Sequence, residues 1–568
     1  MIMRVIGMNM CGFCTSAALL EDGVPIFATE EERLTREKRT RKFPISALNT
    51  ALEFGKVDVT DIDYFSVAWN PGINLEVFSA ANSGRNRYLG ELLFSVPNNL
   101  LTLPRDNKVE SISQSISLQS GHSVNIHFVT HHMAHASAFL YSPFEEAAIL
   151  TVDGFGEAEC TTFSLGRDNQ IKKVWSQEFP HSLAYFYSAI TEYCGFNSSA
   201  GEEWKLMGAS AYGDPDRFAG NLRALITMDE KAGMYLALNH FNHYQFHRPN
   251  MFTSSMENII GIPPNNPNNP LTQEYCDLAA SAQYIFEESY FALMHQLHAY
   301  TGVPNLVVSG GAALNSLANG KILTNTPFSN VYIPPVPDDS GGALNSAIYT
   351  HCCIKNKPRN YIMKSNYLGP EYSEKQIETS LKQYKYKYRR LDNLSQETAE
   401  LIANGKIIGW LQGRLEYGDR ALGNRSILAD PRDPSMKDQV NSTIKYREPF
   451  RPFAPSILAE ETEKYFVDSE PTPFMEKVYK IRPEKRGIVP AVTHEDGTGR
   501  LQTVTREQNP IYYSLIEAFR DITGIPILLN TSFNLKGEPI VCSPEDALRT
   551  FATSGLDAIV MNNFLLEK

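Results

Sequence analysis

The sequence predicts an α/β protein of two domains, and three observations carry that prediction. Apolar runs of strand length alternate with stretches of helical period along most of the chain. Several of those runs end on Asp-Gly or Gly-Gly, the kind of turn that lets a backbone pass close to a ligand. The third is length: 568 residues exceed what one hydrophobic core usually serves.

Composition narrows the functional classes. Hydrophobic residues at 42% and charged residues at 20% describe an ordinary globular chain, and the net charge of −12 disfavours a broad nucleic-acid surface. No apolar run approaches the ~18 to 20 residues a membrane span needs. The opening MIMRVIGMNM lacks a signal peptide's apolar core, so a cytoplasmic location is expected. The eight cysteines are scattered rather than framed for disulfides; Cys11-Gly-Phe-Cys14 has redox spacing, but no thioredoxin-like pattern follows it.

Taken in order, Arg4–Asn9, Ser16–Leu20 and Val24–Ala28 read as three short strands, with Glu21-Asp22-Gly23 as a tight turn. An actin-like or sugar-kinase-like half begins in this way. The charge run Glu30–Phe43 reads as helix or loop on a solvated face. Asp63–Trp69 is a strand, and Asn70–Ser120 is uninformative. His131 and His135 stand four apart, so a helix would project both imidazoles from one face, a spacing suited to one divalent ion. The strand AAILTV then delivers Asp153, followed by Gly154.

A hairpin is expected over Cys160–Leu165 and Ile171–Trp175, and a helix over His181–Tyr193. Gly201–Pro215, with a lysine and three glycines, reads as a loop, and Gly261–Pro270 as a surface excursion. Leu278–Tyr300 is a long amphipathic helix, after which Asn305–Gly311 and Val331–Ala347 each run from a strand into paired glycines. Such a repeated strand-to-glycine turn suits a duplicated fold with a nucleotide between its halves. Periodicity is lost around Cys352–Lys364, the expected linker.

The second domain is expected from about residue 361, with helices at Ser373–Gln383 and Ser395–Asn404 and strands at Ile407–Gly413 and IPILLN. Arg414, Arg420, Arg425, Lys445, Arg447 and Arg451 crowd two short clusters, interleaved with Gly, Pro and Phe that restrict the backbone. Arg500 follows a glycine-rich turn, and Asn530-Thr-Ser532 ends a strand with amide and hydroxyl donors. Guanidinium forks and a lysine suit phosphate.

With these residues assembled, nearly the whole chain resembles the ATP-dependent O-carbamoyltransferases of antibiotic and nodulation-factor biosynthesis, the nebramycin 5'-synthetase-like group. EEERLTREK, HHMAHA, TVDGFGE, KLMGASAYG, SGGAALN, DDSGGA, YGDRALGNRSILADP, KYREPFRPFAPS, DGTGRLQTV and NTSFN carry the likeness. The resemblance implies a duplicated actin-like (RNase-H-like) domain over 1–360 and a YrdC-like α/β domain over 361–568. The latter would form carbamoyladenylate and pyrophosphate from carbamoyl phosphate and ATP with Mg(II). The former would use a divalent metal, Fe(II) by the family's habit, to move the carbamoyl group onto a small hydroxylated acceptor and release AMP. The implied metal ligands are His131, His135, Asp153 and Asp339; Lys38, Gly310, Gly311 and Asn315 would face the adenylate. Arg420, Lys445, Arg447, Arg451, Arg500, Asn530 and Ser532 would hold carbamoyl phosphate and ATP.

No nucleic acid and no membrane are expected as partners, and a homodimer is allowed. Ligand type alone leaves iron, manganese and zinc open. The family pattern carries His-Asp before Ser-Ala-Ala, where this chain has Phe13-Cys14-Thr15-Ser16. That departure keeps two alternatives in view: threonylcarbamoyl transfer to tRNA by related domains, and a nucleotide-binding regulator that has lost transfer. A sugar-type kinase, forming ADP instead of AMP, is a further one.

Overall fold

The computed structural model describes residues 2–10, 14–70, 110–117, 121–229, 231–245, 250–448 and 450–568. Most of the uninformative stretch Asn70–Ser120 and most of the Cys11–Cys14 motif lie outside these. The chain divides into two compact units, Met1–Ala28 with Arg39–Met363, and Thr29–Lys38 with Lys364–Lys568. The N-terminal sequence therefore supplies ten residues to the second unit, where an unbroken first domain was expected.

The first unit contains two principal sheets. One comprises β1 (Arg4–Asn9), β2 (Ser16–Glu21), β3 (Val24–Glu30), β4 (Tyr64–Val67), β5 (Ser111–Ser117) and β6 (Ser123–Val129), in the order β3-β2-β1-β4-β6-β5. The other comprises β7 (Glu146–Val152), β8 (Glu159–Arg167) and β9 (Gln170–Glu178). After a small ribbon of β10 (Ile226–Met228) and β11 (Met234–Leu236), it is completed by β12 (Asn305–Ser309) and β13 (Asn330–Tyr332), in the order β13-β12-β7-β8-β9. Each sheet is a meander whose first strand is extended by two parallel strands, β1-β4-β6 and β7-β12-β13. The central strands are buried along nearly their whole length, which is why they read as continuous apolar runs.

Close packing explains one invariant need in β1. The helix Gly342–Tyr349 lies so near that a Cβ on Gly7 would stand 1.8 Å from the Ala343 carbonyl oxygen. The long helix Gln273–Thr301 matches the amphipathic reading and extends it at both ends. Gly201–Pro215 is not a loop: Glu203–Ala209 is α-helical and Ser210–Tyr212 a 3-10 turn. Leu206 and Ala209 bury one side of that helix, and this packing outweighs the modest penalty of Gly208.

In the second unit the strands are β14 (Arg389–Arg390), β15 (Ile408–Leu411), β16 (Arg425–Ala429), β17 (Ala454–Leu458), β18 (Val478–Lys480), β19 (Thr498–Arg500), β20 (Gln502–Val504), β21 (Ile527–Ser532), β22 (Ala558–Met561) and β23 (Phe564–Glu567). Eight form one mixed sheet, β14-β23-β22-β15-β16-β21-β17-β20, and β18 pairs with β19. Both faces are covered. Ile408, Trp410 and Leu528 pack with the helices Leu394–Ala403 and Pro510–Thr523, while Leu411, Ile427 and Leu529 share a core with Glu374–Gln383 and Pro544–Ala552. Alternate strand residues point to opposite faces, so one sheet builds both cores. Among the described residues, no helix is long and apolar enough to cross a membrane.

Candidate functional site

In the first unit, the residues bearing chemistry stand at the carboxyl ends of strands. The short helix His131–Ala136 follows β6, Asp153 follows β7, the turn Gly310-Gly311 follows β12, and Asp339 opens the turn leading to the helix Gly342–Tyr349. His131 Nε2 and His135 Nε2 are 3.1 Å apart, and each is 3.0 Å from Asp153 Oδ2. Asp339 Oδ1 is 3.4 Å from the first nitrogen and 3.6 Å from the second. Four donor atoms about 2.1 Å from one ion would be separated by roughly 3.0 to 3.4 Å, so the set fits a divalent metal. All four donors lie within 4.8 Å of one another.

The surroundings hold this cluster in place. Glu157 accepts the backbone N–H of His131 with both carboxylate oxygens at 3.0 Å, and that of Asn70 at 2.6 Å. His132 turns away: its Nε2–H donates to the Glu159 carbonyl at 3.0 Å, so its Nδ1 accepts from the Thr151 hydroxyl at 2.7 Å. Burial and the two neighbouring imidazoles hold His132 well below its ordinary pKa. Burial alone would lower His131, but Asp339 and Asp153 raise it well above the usual value. Burial likewise works against ionised Asp153, and hydrogen bonds from His131 and His135 hold its carboxyl well below the usual range.

Gly310 has φ +95°, and a Cβ there would meet the Val152 carbonyl oxygen at 2.3 Å; a Cβ on Gly311 would stand 2.9 Å from Asp153 Oδ1. The glycine pair therefore lets β12 and β7 end side by side next to the cluster. Asn315 is placed differently from the glycines. It is 8% exposed, exchanges two 3.0 Å hydrogen bonds with Gln283 and caps the following helical turn through Ala318 N–H. Cys14, at the site of the family departure, is buried with φ +58°. Ser16 beside it donates to the Ser340 carbonyl at 2.7 Å, so this turn adjoins the loop of Asp339. The described cysteines are free thiols.

In the second unit, register gathers the basic clusters. Leu411 pairs with Arg425, Ser426 with Ser532, Ala454 with Asn530, and Ser456 with Gln502. The starts of β16, β17 and β20 and the end of β21 thus share one edge of the sheet. Arg420 precedes β16; Lys445, Arg447 and Arg451 precede β17; Arg500 precedes β20; Ser532 closes β21. Residues as far apart as 420 and 532 meet there because antiparallel pairing sets their strand ends level.

Lys445 is 4% exposed. Its ammonium donates to the carbonyls of Ser532 and Asn534 and to Asn534 Oδ1 at 2.8 Å, with Ser532 Oγ at 3.2 Å. Burial, then Arg447, Arg451 and Lys38, hold it well below a lysine's ordinary pKa. Arg447 donates to Asn441 Oδ1 at 2.7 Å and stacks 4.6 Å from the Phe453 ring; burial and Arg451 lower its pKa as well. Arg451 pairs with Glu448 at 3.6 Å. Arg500 donates to the Met475 carbonyl at 2.8 Å, and burial followed by Arg420 depresses its pKa. Cations whose pKa is lowered by burial and by neighbouring cations are poised for an anion.

Several expectations are redistributed here. Arg425 is fully buried and donates to the carbonyls of Gln412, Gly413, Asn424 and Pro370, so it stitches loops together and offers nothing to a phosphate. Arg414 likewise bonds the carbonyls of Leu368 and Gly369. Asn530, 1% exposed, donates to Ala421 O, Ser456 Oγ and Gln502 Oε1. Lys38 belongs to the second unit, where its charge acts on Lys445. The charge run divides: Glu30, Glu31, Glu32 and Arg33 are buried, whereas Glu37, Lys38, Arg41 and Lys42 are exposed as a solvated face would be. Glu157 and Asn534 were not singled out, although the motifs that contain them, TVDGFGE and NTSFN, were.

Comparison with known proteins places this geometry. Residues 4–348 match the family described as carbamoyltransferase N-terminus, and residues 399–568 that described as carbamoyltransferase C-terminus. The nodulation protein NolNO of Sinorhizobium fredii is 36% identical over 97% of this chain and 78% of its own. NolO of Bradyrhizobium diazoefficiens is 36% identical over 78% of this chain and 79% of its own. An uncharacterized protein of Synechocystis is 37% identical over the full chain and 97% of its own length. On sequence shared across both units, this chain belongs to the carbamoyltransferase family.

Proposed function

We propose that this carbamoyltransferase works in two half-reactions, one in each unit. In the second, a YrdC-like unit, water cleaves the phosphorus–oxygen bond of carbamoyl phosphate, giving phosphate and carbamate. A carbamate oxygen then bonds to the α-phosphorus of ATP as pyrophosphate leaves, and carbamoyladenylate results. In the first, a duplicated actin-like unit, an acceptor hydroxyl oxygen bonds to the carbamoyl carbon, the bond to AMP breaks, and the hydroxyl proton is lost. The acceptor is a small hydroxylated molecule.

The observation that carries the reading is the crowding of lysine and arginine side chains at the sheet edge of the second unit. A chain with net charge −12 keeps Lys445 buried, with Arg447 and Arg451 half-buried beside it, an arrangement that a phosphorylated ligand would neutralise. Arg420 and Arg500 form a second such pair on the same edge. Two cation groups suit a reaction that handles two phosphorylated substrates. Activation is chemically required, because nitrogen donation into the carbonyl makes a carbamoyl group a poor electrophile, and adenylation gives it a good leaving group.

In the first unit, His131, His135, Asp153 and Asp339 would hold a divalent ion, proposed as Fe(II). When bound, it supplies Lewis acidity. The chain's own contribution is to pre-place four donors, with Glu157 anchoring the start of the histidine helix. The repeated sheet order of this unit supports the duplicated reading.

The test is direct. Protein incubated with carbamoyl phosphate and ATP should release phosphate and pyrophosphate and accumulate carbamoyladenylate; absence of both pyrophosphate and the adenylate overturns the proposal. Formation of ADP instead would indicate kinase chemistry.

A further inference from the structure

The ten residues Thr29–Lys38 sit in the second unit although the sequence on either side belongs to the first. Their side chains explain why. Glu30 and Arg33, 1% and 2% exposed, take hold of both backbone groups of Gly418. Glu30 Oε1 accepts the Gly418 N–H at 2.7 Å, and Arg33 Nη2 donates to the Gly418 carbonyl at 3.0 Å. Arg33 also pairs with Asp419 at 3.6 Å and with Glu32. Three residues on, Arg36 donates to the carbonyls of Pro539 and Ile540 at 2.8 and 2.6 Å and pairs with Asp546 at 3.3 Å.

Those anchor points bracket the anion site. Gly418-Asp419 immediately precedes Arg420, and Pro539-Ile540 ends the turn that begins with Ser532 and Asn534. Burying a guanidinium among carboxylates is a costly way to stabilise a helix of five residues, since apolar packing of the same volume often serves as well or better. What the charged set does that apolar packing would not is grip backbone groups of two loops in fixed directions. The segment leaves its helix through Arg36 in the left-handed region, φ +64°, and then presents exposed Lys38.

We propose that Thr29–Lys38 is a working part of the anion site: Glu30, Arg33 and Arg36 are positioning residues that set the Arg420 loop and the Ser532–Asn534 turn. The ligand chemistry is a phosphoryl group of at least two negative charges, either the phosphate of carbamoyl phosphate or the triphosphate of ATP. The inference rests on the adenylation reading for the identity of these ligands, and on the geometry for the site.

The experiment uses the full chain and its Arg36→Ala and Arg36→Lys variants. Binding of inorganic phosphate and of ATP is measured by calorimetry, beside the KM and kcat of pyrophosphate release and the melting temperature. Arg36→Ala should bind phosphate or ATP about fivefold more weakly. Arg36→Ala should raise KM more than it lowers kcat, with partial recovery in Arg36→Lys. A defect confined to inorganic phosphate and carbamoyl phosphate assigns the site to that substrate, and one confined to ATP assigns it to the triphosphate. Wild-type affinity for both ligands and an unchanged KM in Arg36→Ala, with only the melting temperature altered, overturns the inference. A wild-type protein that forms no pyrophosphate, while the variants still lose phosphate affinity, overturns the adenylation reading and leaves this inference standing.

Discussion

The two candidate sites are electrostatic opposites. In the first unit, two imidazoles face two carboxylates; the carboxylates raise the pKa of His131, and hydrogen bonds from the imidazoles hold Asp153 in its charged form. In the second, lysine and arginine side chains crowd one sheet edge, and burial together with neighbouring cations depresses Lys445, Arg447 and Arg500. The first arrangement is nearly self-balanced and calls for a cation of modest net demand. The second is unbalanced and calls for an anion. The contrast teaches that one chain can prepare opposite sites without long-range interference, because desolvation and contacts within a few ångströms dominate over net charge.

The largest expected effects are reciprocal. Lys445→Met should lower pyrophosphate release by about 10²-fold or more, since it removes a buried cation together with its grip on Ser532 and Asn534. Bound metal, measured by elemental analysis, should be unchanged. His135→Ala should lose bound metal and carbamoyl transfer while retaining pyrophosphate release. A variant that loses both activities equally would break the division between the sites.

Gly310→Ala should destabilise the protein by about 2 to 4 kcal/mol in urea unfolding, because a Cβ at φ +95° collides with the Val152 carbonyl. It sharpens the comparison, since the glycine is needed where β7 and β12 close on the metal cluster.

A pH titration probes the other unit. Burial raises the Glu30 carboxyl from 4.5 to about 7, so the folded protein holds this proton more tightly than the unfolded chain. Its contribution is complete below the unfolded value and is lost as pH rises through about 7. Unfolding measured from pH 4.5 to 7.5 should therefore show a fall in stability, up to about 3 kcal/mol, that Glu30→Gln removes. The smallest effect is expected for Asn315→Ala, which should cost about 1 to 2 kcal/mol of stability through its lost cap and its pairing with Gln283. The KM for ATP should stay at its wild-type value.

Local chemistry was legible in the sequence. The i, i+4 histidines lie on one helix because a 3.6-residue repeat puts them there, and AAILTV is a strand because a buried central strand is apolar on both faces. The helix over Leu278–Tyr300 and the strand ending in NTS were likewise readable from period and composition. Gly201–Pro215 read as a loop because three glycines mask a helix whose stability comes from packing. The arginines of the second unit could not be sorted from spacing alone. Arg425 and Arg447 look alike in sequence, yet one is spent on backbone carbonyls and the other stacks beside Lys445.

By itself, then, the sequence determined which short segments would be strand, helix or turn and which residue types could hold a metal or a phosphate, since those properties depend on neighbours a few positions away. Only the tertiary structure decided that Asp339 joins His131 across two hundred residues, that Asn315 faces Gln283, and that the charge run at Glu30–Arg33 is buried around Gly418. Strand register and the partners of buried charges are set by contacts between distant segments, and residue spacing carries no record of them.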